Sequence, residues 1–183
     1  MRRFLLKPTQ LNLLKGDKTM DKFEDIIKAN QIFATTFTSE NLTGTAVKGL
    51  AIVTCMDSRI DPLRIVGMSA GDAKILRNAG ARVTEDVLRT LVLATHLLGV
   101  NRVLVMPHTD CRMASTDEAG IHGEISQKSG VDTRSLDFQT TTDQLGSLLK
   151  DIVKIESYPL LHDEVKVMGA IYDVKSGLLA PIF

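Results

Sequence analysis

The chain has 183 residues, of which 44% are hydrophobic and 24% charged, enough for one soluble domain with a sizeable core. Its 22 basic and 22 acidic residues balance, so no net field favours a nucleic acid or an anionic membrane, and neither partner is expected. The apolar runs are too short and too interrupted to span a bilayer.

Residues 1–20 read as an N-terminal arm or leader. They open MRRFLLKPTQLNLLKGDK, with no acid before Asp17 and with Lys7 and Pro8 breaking the apolar run that a secretory signal needs. An organellar transit peptide is an alternative for this stretch. Residues 21–183 are expected to form a single domain. Within it, Asp21 to Thr38 carries Phe23, Ile26, Ile27, Phe33, Ala34 and Phe37 at helical spacing. Leu50 to Thr54 is a continuous apolar run ending at Cys55, the pattern of a strand buried on both faces. Lys74 to Arg77 suggests a second short strand, followed by the turn-prone Asn78-Ala79-Gly80.

Thr84 to Leu98 is the clearest helix. Thr84 caps it, Glu85 and Asp86 suit its positive end, an apolar face runs from Val87 to Leu98, and Gly99 stops it. Arg102 to Met106 is the next buried strand and runs straight into Pro107-His108, with a short helix starting near Cys111. Residues 116–139 are polar and read as loops with at most one short helix. Thr141 to Glu156 returns to helical period, Val165 to Val174 is a strand, Lys175-Ser176-Gly177 a turn, and Leu178 onward an edge strand. The alternation implies an α/β fold: a mostly parallel central sheet flanked by helices, with an antiparallel edge strand. In such sheets functional groups collect at the carboxyl ends of strands, where Cys55 and His108 both fall.

Two short segments carry chemistry: Cys55-Met56-Asp57-Ser58-Arg59 and His108-Thr109-Asp110-Cys111. Two thiols without a signal peptide make no disulfide framework and suit a reducing, cytoplasmic setting. Thiolate and imidazole are good tetrahedral zinc ligands, and the spacing of His108 and Cys111 lets both converge on one ion, with Cys55 as third ligand from a neighbouring strand end. Three soft ligands fall one short of a closed structural site. The fourth position is open to water, as in a catalytic site, or to Asp57 in an inactive state. Asp57 and Arg59, two apart, point to the same side of an extended segment, where Arg holds the carboxylate ionised and oriented. His96, in a helix, and His122 and His162, in loops, read as surface or packing residues.

At these residues the sequence resembles the β-class carbonic anhydrases, whose pattern is Cys-x-Asp-x-Arg followed about fifty residues later by His-x-x-Cys. The likeness extends over Ala51–Pro62, Gly71–Thr90, Val103–Met113 and Val167–Gly177, roughly two-thirds of the chain. The resemblance implies Zn2+ held by Cys55, His108 and Cys111, and an Asp57–Arg59 catalytic dyad. It implies reversible hydration of carbon dioxide to bicarbonate and a proton by zinc-bound hydroxide. It also implies a homodimer or dimer of dimers, with an N-terminal helix packed on the partner and a substrate pocket near Asn78, Ala79 and Gly80. Carbonyl sulfide and carbon disulfide hydrolases share these motifs, and a catalytically silent zinc protein is the alternative from another class. The chain departs from the family at Arg112, where Gly usually follows the last ligand, and it has no Trp.

Overall fold

The computed structural model describes residues 21–182, so the arm or leader expected over 1–20 lies outside the described residues. The chain divides into a unit ending at Leu42 and a larger unit beginning at Thr43. In the first, helix α1 spans Glu24–Thr35, shorter at both ends than the periodicity predicts, and carries exposed Phe23, Ile26, Ile27 and Phe33. Among the described residues no helix is long and apolar enough to cross a membrane.

The larger unit is built on a five-stranded sheet. In chain order its elements are β1 (Leu50–Cys55), the single-turn α2 (Pro62–Ile65), β2 (Ala73–Asn78), α3 (Glu85–Leu97), β3 (Arg102–Met106), α4 (Glu118–Ser129), α5 (Gln144–Glu156), β4 (Lys166–Tyr172) and β5 (Leu179–Ile182). The strand order is β2-β1-β3-β4-β5. The first four strands run parallel, and β5 pairs antiparallel with β4 as the edge strand. This is the α/β fold that the sequence implies.

The apolar alternation explains how the layers pack. Ala51, Val53, Val103 and Val105 face α3 and α5, meeting Val87, Leu88, Leu91, Leu148 and Ile155. Leu50, Ile52, Leu104 and Met106 face the other way, onto Ile60, Met113 and Phe138. Both faces of β1 are therefore buried, the condition for a continuous apolar strand rather than an alternating one. Thr84 accepts the Val87 N–H and caps α3 as its sequence predicts, and Gly99 takes the left-handed conformation (φ 75°) just beyond the helix end.

Residues 116–139 hold one helix among loops, as their sequence allows: α4 occupies half of them, capped by the Asp117 carboxylate on the Gly120 N–H and ended by a left-handed Gly130, and one placement needs correction. His122 therefore sits on a helix rather than in a loop. The helix buries no residue, so it lacks the apolar stripe by which helices are recognised in sequence.

The chain leaves β1 toward β2 on one side and later crosses to β3 on the other, so the connections diverge at β1. The crevice outside the carboxyl ends of β1 and β3 is the switch point at which open α/β sheets build their sites.

A preformed metal-binding group between two strand ends

Cys55 is the last residue of β1, and His108 lies two residues beyond β3. Register places Thr54 beside Met106 and Cys55 beside Asn78. The buried Thr54 hydroxyl donates to the Met106 carbonyl at 2.8 Å, fastening the two strands immediately below the site. A bridge between His108 and Tyr172 carries the parallel pairing past β3, with Thr109 N–H on the Tyr172 carbonyl at 2.9 Å. Gln144, at the start of α5, donates its side-chain amide to the His108 carbonyl at 2.8 Å.

These supports bring Cys55, His108 and Cys111 together, their ligand atoms all within 4.8 Å of one another and all three side chains buried. The two sulfurs are 4.0 Å apart. Two thiolates on one tetrahedral zinc, each bonded at about 2.3 Å, would sit roughly 3.8 Å apart. His108 Nδ1–H donates to the Thr109 carbonyl at 2.8 Å, which fixes the tautomer and leaves Nε2 with its lone pair. Among the described residues His108 Nε2 is the buried side-chain nitrogen or oxygen that lacks a hydrogen-bond partner. A buried acceptor with no donor is costly in a finished protein interior, and a metal ion facing the two sulfurs satisfies it.

The electrostatics favour a cation at the same point. The Cys55 thiol is held far below its ordinary pKa, first by the hydrogen bond from Cys111 and then by the Gly80 N–H, against the opposing effect of burial. The contact with Cys55, together with burial, pushes the Cys111 thiol up. The pair thus shares one proton, which a bound dication displaces, so metal affinity falls as pH falls.

Asp57 lies beside this group, its Oδ2 3.8 Å from His108 Nε2. Arg59 holds it by three hydrogen bonds: Nε to Oδ1 at 2.9 Å, Nη2 to Oδ2 at 2.7 Å and the backbone N–H to Oδ1 at 2.9 Å. These bonds keep the Asp57 carboxyl well below the usual carboxylate range. A carboxylate with a lowered pKa adds stability above its unfolded value, and that contribution is lost only in strong acid. Asp57 therefore stays ionised throughout the neutral and alkaline range.

The segment predicted to line a pocket has distinct roles residue by residue. Asn78 bridges its own turn, donating to the Arg82 carbonyl at 2.7 Å and accepting the Arg82 N–H at 2.9 Å. Ala79 begins the single 3-10 turn Ala79–Ala81. Gly80 donates its N–H to Cys55 Sγ at 3.4 Å and lines a narrow recess with Cys111, Val105, Met113 and Gln144. Gly80 has φ 81°, and a Cβ there would lie 3.1 Å from Met113 Cβ. Gly80→Ala should cost about 1–3 kcal/mol in a urea titration, since the left-handed conformation alone costs about 1–2 kcal/mol. An unchanged midpoint would show that the turn relaxes freely.

Sequence reasoning missed three supporting groups. Arg77 donates to the carbonyls of Cys55, Asp57 and Ile60, at 2.9, 2.6 and 3.2 Å, and so braces the loop after β1. Arg82 and Asp151 form a buried ion pair at 2.7 Å between the turn after β2 and α5. Asp110, with φ 55°, takes a second edge of Arg59. Arg112, next to Cys111, begins a 3-10 turn, has no left-handed φ, and turns outward to Glu124 on α4. The other histidines serve packing: His96 bonds the Leu160 carbonyl and packs at a tilt against His162, and His122 bonds Thr133 and packs at a tilt against Phe138.

Fold and site together define a mostly parallel α/β protein with a buried Cys–His–Cys metal-binding group flanked by an arginine-held aspartate. A family profile described as carbonic anhydrase matches residues 50–137. The chain is 32% identical over 132 residues to β-carbonic anhydrase 1 of Mycobacterium tuberculosis, covering 72% of this chain and 80% of that one. It is 31% identical over 153 residues to the carbon disulfide hydrolase of Saccharolobus solfataricus, covering 71% and 75%. The crystal structure of a carbonic anhydrase from Streptococcus mutans superposes with a TM-score of 0.82 at 37% identity, covering 88% of this chain and 97% of that one. The chain belongs to the β-carbonic anhydrase family.

Proposed function

We propose that this chain is a zinc enzyme that interconverts carbon dioxide and bicarbonate, with Cys55, His108 and Cys111 as its metal ligands. The observation that carries the reading is the unpartnered, buried His108 Nε2 facing two sulfurs beside a carboxylate held ready by arginine. Two sulfurs and one imidazole are a zinc donor set, and three protein ligands leave a fourth position open, as catalytic sites do. When bound, zinc lowers the pKa of water and supplies a nucleophile near neutral pH.

The chain's residues do the rest. Asp57, kept ionised by Arg59, accepts a hydrogen bond from the attacking oxygen and fixes the direction of its lone pair. The Thr109 carbonyl holds the His108 ring in the tautomer that offers Nε2. Carbon dioxide is small and apolar, and the recess lined by Gly80, Val105 and Met113 beside Cys111 receives it. Water adds to carbon, bicarbonate leaves, and one proton passes to solvent buffer. Asp57 pairs with Arg59 here, the arrangement expected of the active state rather than of a fourth ligand. The exposed apolar side chains of α1 support a homodimer, or a dimer of dimers, in which that helix packs on a partner subunit. The two free, buried thiols suit a reducing, cytoplasmic setting.

Two thiolates cancel the charge of the dication, so water at this centre is acidified less than at a three-histidine site, where its pKa is about 7. Carbon dioxide hydration should therefore rise between about pH 7 and pH 9, and Asp57 should contribute no titration in that range. Stopped-flow hydration across this range tests it, and a flat profile from mildly acidic to alkaline pH contradicts it. The 31% identity to a carbon disulfide hydrolase supports a second reading, hydrolysis of carbon disulfide or carbonyl sulfide. Sulfide release from those substrates, with negligible carbon dioxide hydration, would select it.

A further inference from the structure

The guanidinium of Arg59 has two hydrogen-bonding edges, and Asp57 takes only one of them. The other reaches across the crevice. Nη1 donates to Asp110 Oδ2 at 2.7 Å, and Nη2 donates to the Asp110 main-chain carbonyl at 3.1 Å. Asp110 lies between His108 and Cys111 in the loop after β3, whereas Arg59 lies in the loop after β1 that begins at Cys55. Among the described residues, the hydrogen bonds joining these two loops directly are the Cys55–Cys111 sulfur contact and the two from Arg59 to Asp110. The remaining ties of each loop lead elsewhere. Arg77 on β2 holds the first, while Tyr172, Val174 and Gln144 hold the second.

We infer that Asp110 is a positioning residue that, through Arg59, cross-braces the two ligand loops and slows the escape of the metal ion from between them. The inference rests on the metal-site reading above and extends it to a residue outside the ligand set. Cys55 stands on one side of the gap and His108 and Cys111 on the other, so parting of the two loops opens the site, and the guanidinium spans that gap. Its planar fork fixes distance and direction together, which a point charge does not. The backbone at Asp110 adds to the argument. Its φ of 55° is left-handed, a conformation that Asp tolerates better than most residues with a Cβ, and it is the conformation in which both the carboxylate and the carbonyl meet Arg59. Asp57 keeps three hydrogen bonds of its own to Arg59, so loss of the Asp110 carboxylate reduces the brace to the single bond on the main-chain carbonyl without unpairing Asp57.

The effect is bounded by exposure. Arg59 and Asp110 are 43% and 67% exposed at the side chain, so water screens their attraction. Groups that orient metal ligands alter metal affinity by about 10–100-fold when buried, and here about 3–10-fold is expected.

The test uses the zinc-loaded chain and reads zinc release into excess chelating dye, with denaturant midpoints measured on the same samples. Asp110→Gly removes the carboxylate and accepts the left-handed φ, so strain does not confound it. It should release zinc about 3–10-fold faster than wild type. Asp110→Asn keeps an acceptor oxygen and should fall between the two, and it decides the matter if the glycine variant folds poorly. Asp86→Asn, which breaks a remote surface pair with Arg89 on α3, should release zinc at the wild-type rate. Wild-type release rates in both Asp110 variants overturn the brace and leave the metal site standing. Faster release in Asp86→Asn as well would assign the effect to surface charge and also overturn it. A wild-type chain that takes up no zinc removes the metal reading and the brace together.

Discussion

Replacing Cys111 with Ser is expected to reduce zinc content from about one ion per chain to near zero and to bring carbon dioxide hydration down to the uncatalysed background. Serine is close in size and should sit in the same buried position, so the fold should survive with unchanged far-ultraviolet circular dichroism. What changes is the donor. A neutral hydroxyl is a poor zinc ligand, and the site is left with one sulfur and one imidazole. The backbone N–H groups of Met113 and Ala114 act on the Cys111 sulfur in the direction of the thiolate, and a hydroxyl that stays protonated gains little from them. Structural zinc sites contribute of the order of 10 kcal/mol of binding free energy, and losing one of three protein ligands removes a large share of that. Zinc analysis after dialysis and stopped-flow hydration on the same sample check this. Retention of a full zinc equivalent by Cys111→Ser would exclude Cys111 from the ligand set.

The second large effect falls on stability. Asp151→Asn should destabilise the chain by about 2–4 kcal/mol, a fall in melting temperature of roughly 5–15 °C for a chain of this size. Asp151 is buried in the middle of α5 and receives Arg82 Nε at 2.7 Å, while Arg82 Nη1 donates to the Gln139 carbonyl at 3.0 Å. Removing the carboxylate charge leaves a largely buried guanidinium without its counter-ion, and the cost is that uncompensated charge rather than the lost attraction. Arg82 side-chain exposure of 18% lets some water reach it, which keeps the figure below the largest values for buried pairs. Differential scanning calorimetry reads the shift. The double variant Arg82→Met with Asp151→Leu should recover most of it, because neither charge is then buried alone. A single variant that melts with wild type would show that the pair is solvated in practice.

The meeting of Cys55, His108 and Cys111 was readable from the sequence, and the bracing around them was not. Cys55 could be placed because the short apolar run Leu50 to Thr54 suits a strand buried on both faces, and it ends on that cysteine. His108 and Cys111 could be paired because their spacing brings two side chains to one point. The helices α3 and α5 announced themselves by apolar stripes and, for α3, by a capping threonine. Helix α4 had no such signal, because a helix lying on the surface without a buried face shows no period.

The arginines were missed for a different reason. Arg77 acts on three main-chain carbonyls, which every residue has, so no partner residue marks it in the sequence. Its one signal was a second charged side chain, after Lys74, in the short strand before Asn78. Arg82 and Asp151 stand 69 residues apart, and only the packing of α5 against the sheet brings them together. Asp110 was in view between two ligands, but its use of the second edge of Arg59 depends on a left-handed turn that Asp permits without announcing.

The central claim is that Cys55, His108 and Cys111 hold one zinc ion with a fourth position left for oxygen. X-ray absorption at the zinc edge of the loaded chain tests this most directly. The expected result is two sulfur scatterers at about 2.3 Å, one imidazole nitrogen at about 2.0 Å, and one further light atom. A shell of four sulfurs, or of nitrogen and oxygen without sulfur, would contradict it, as would a chain that cannot be loaded with zinc at neutral pH.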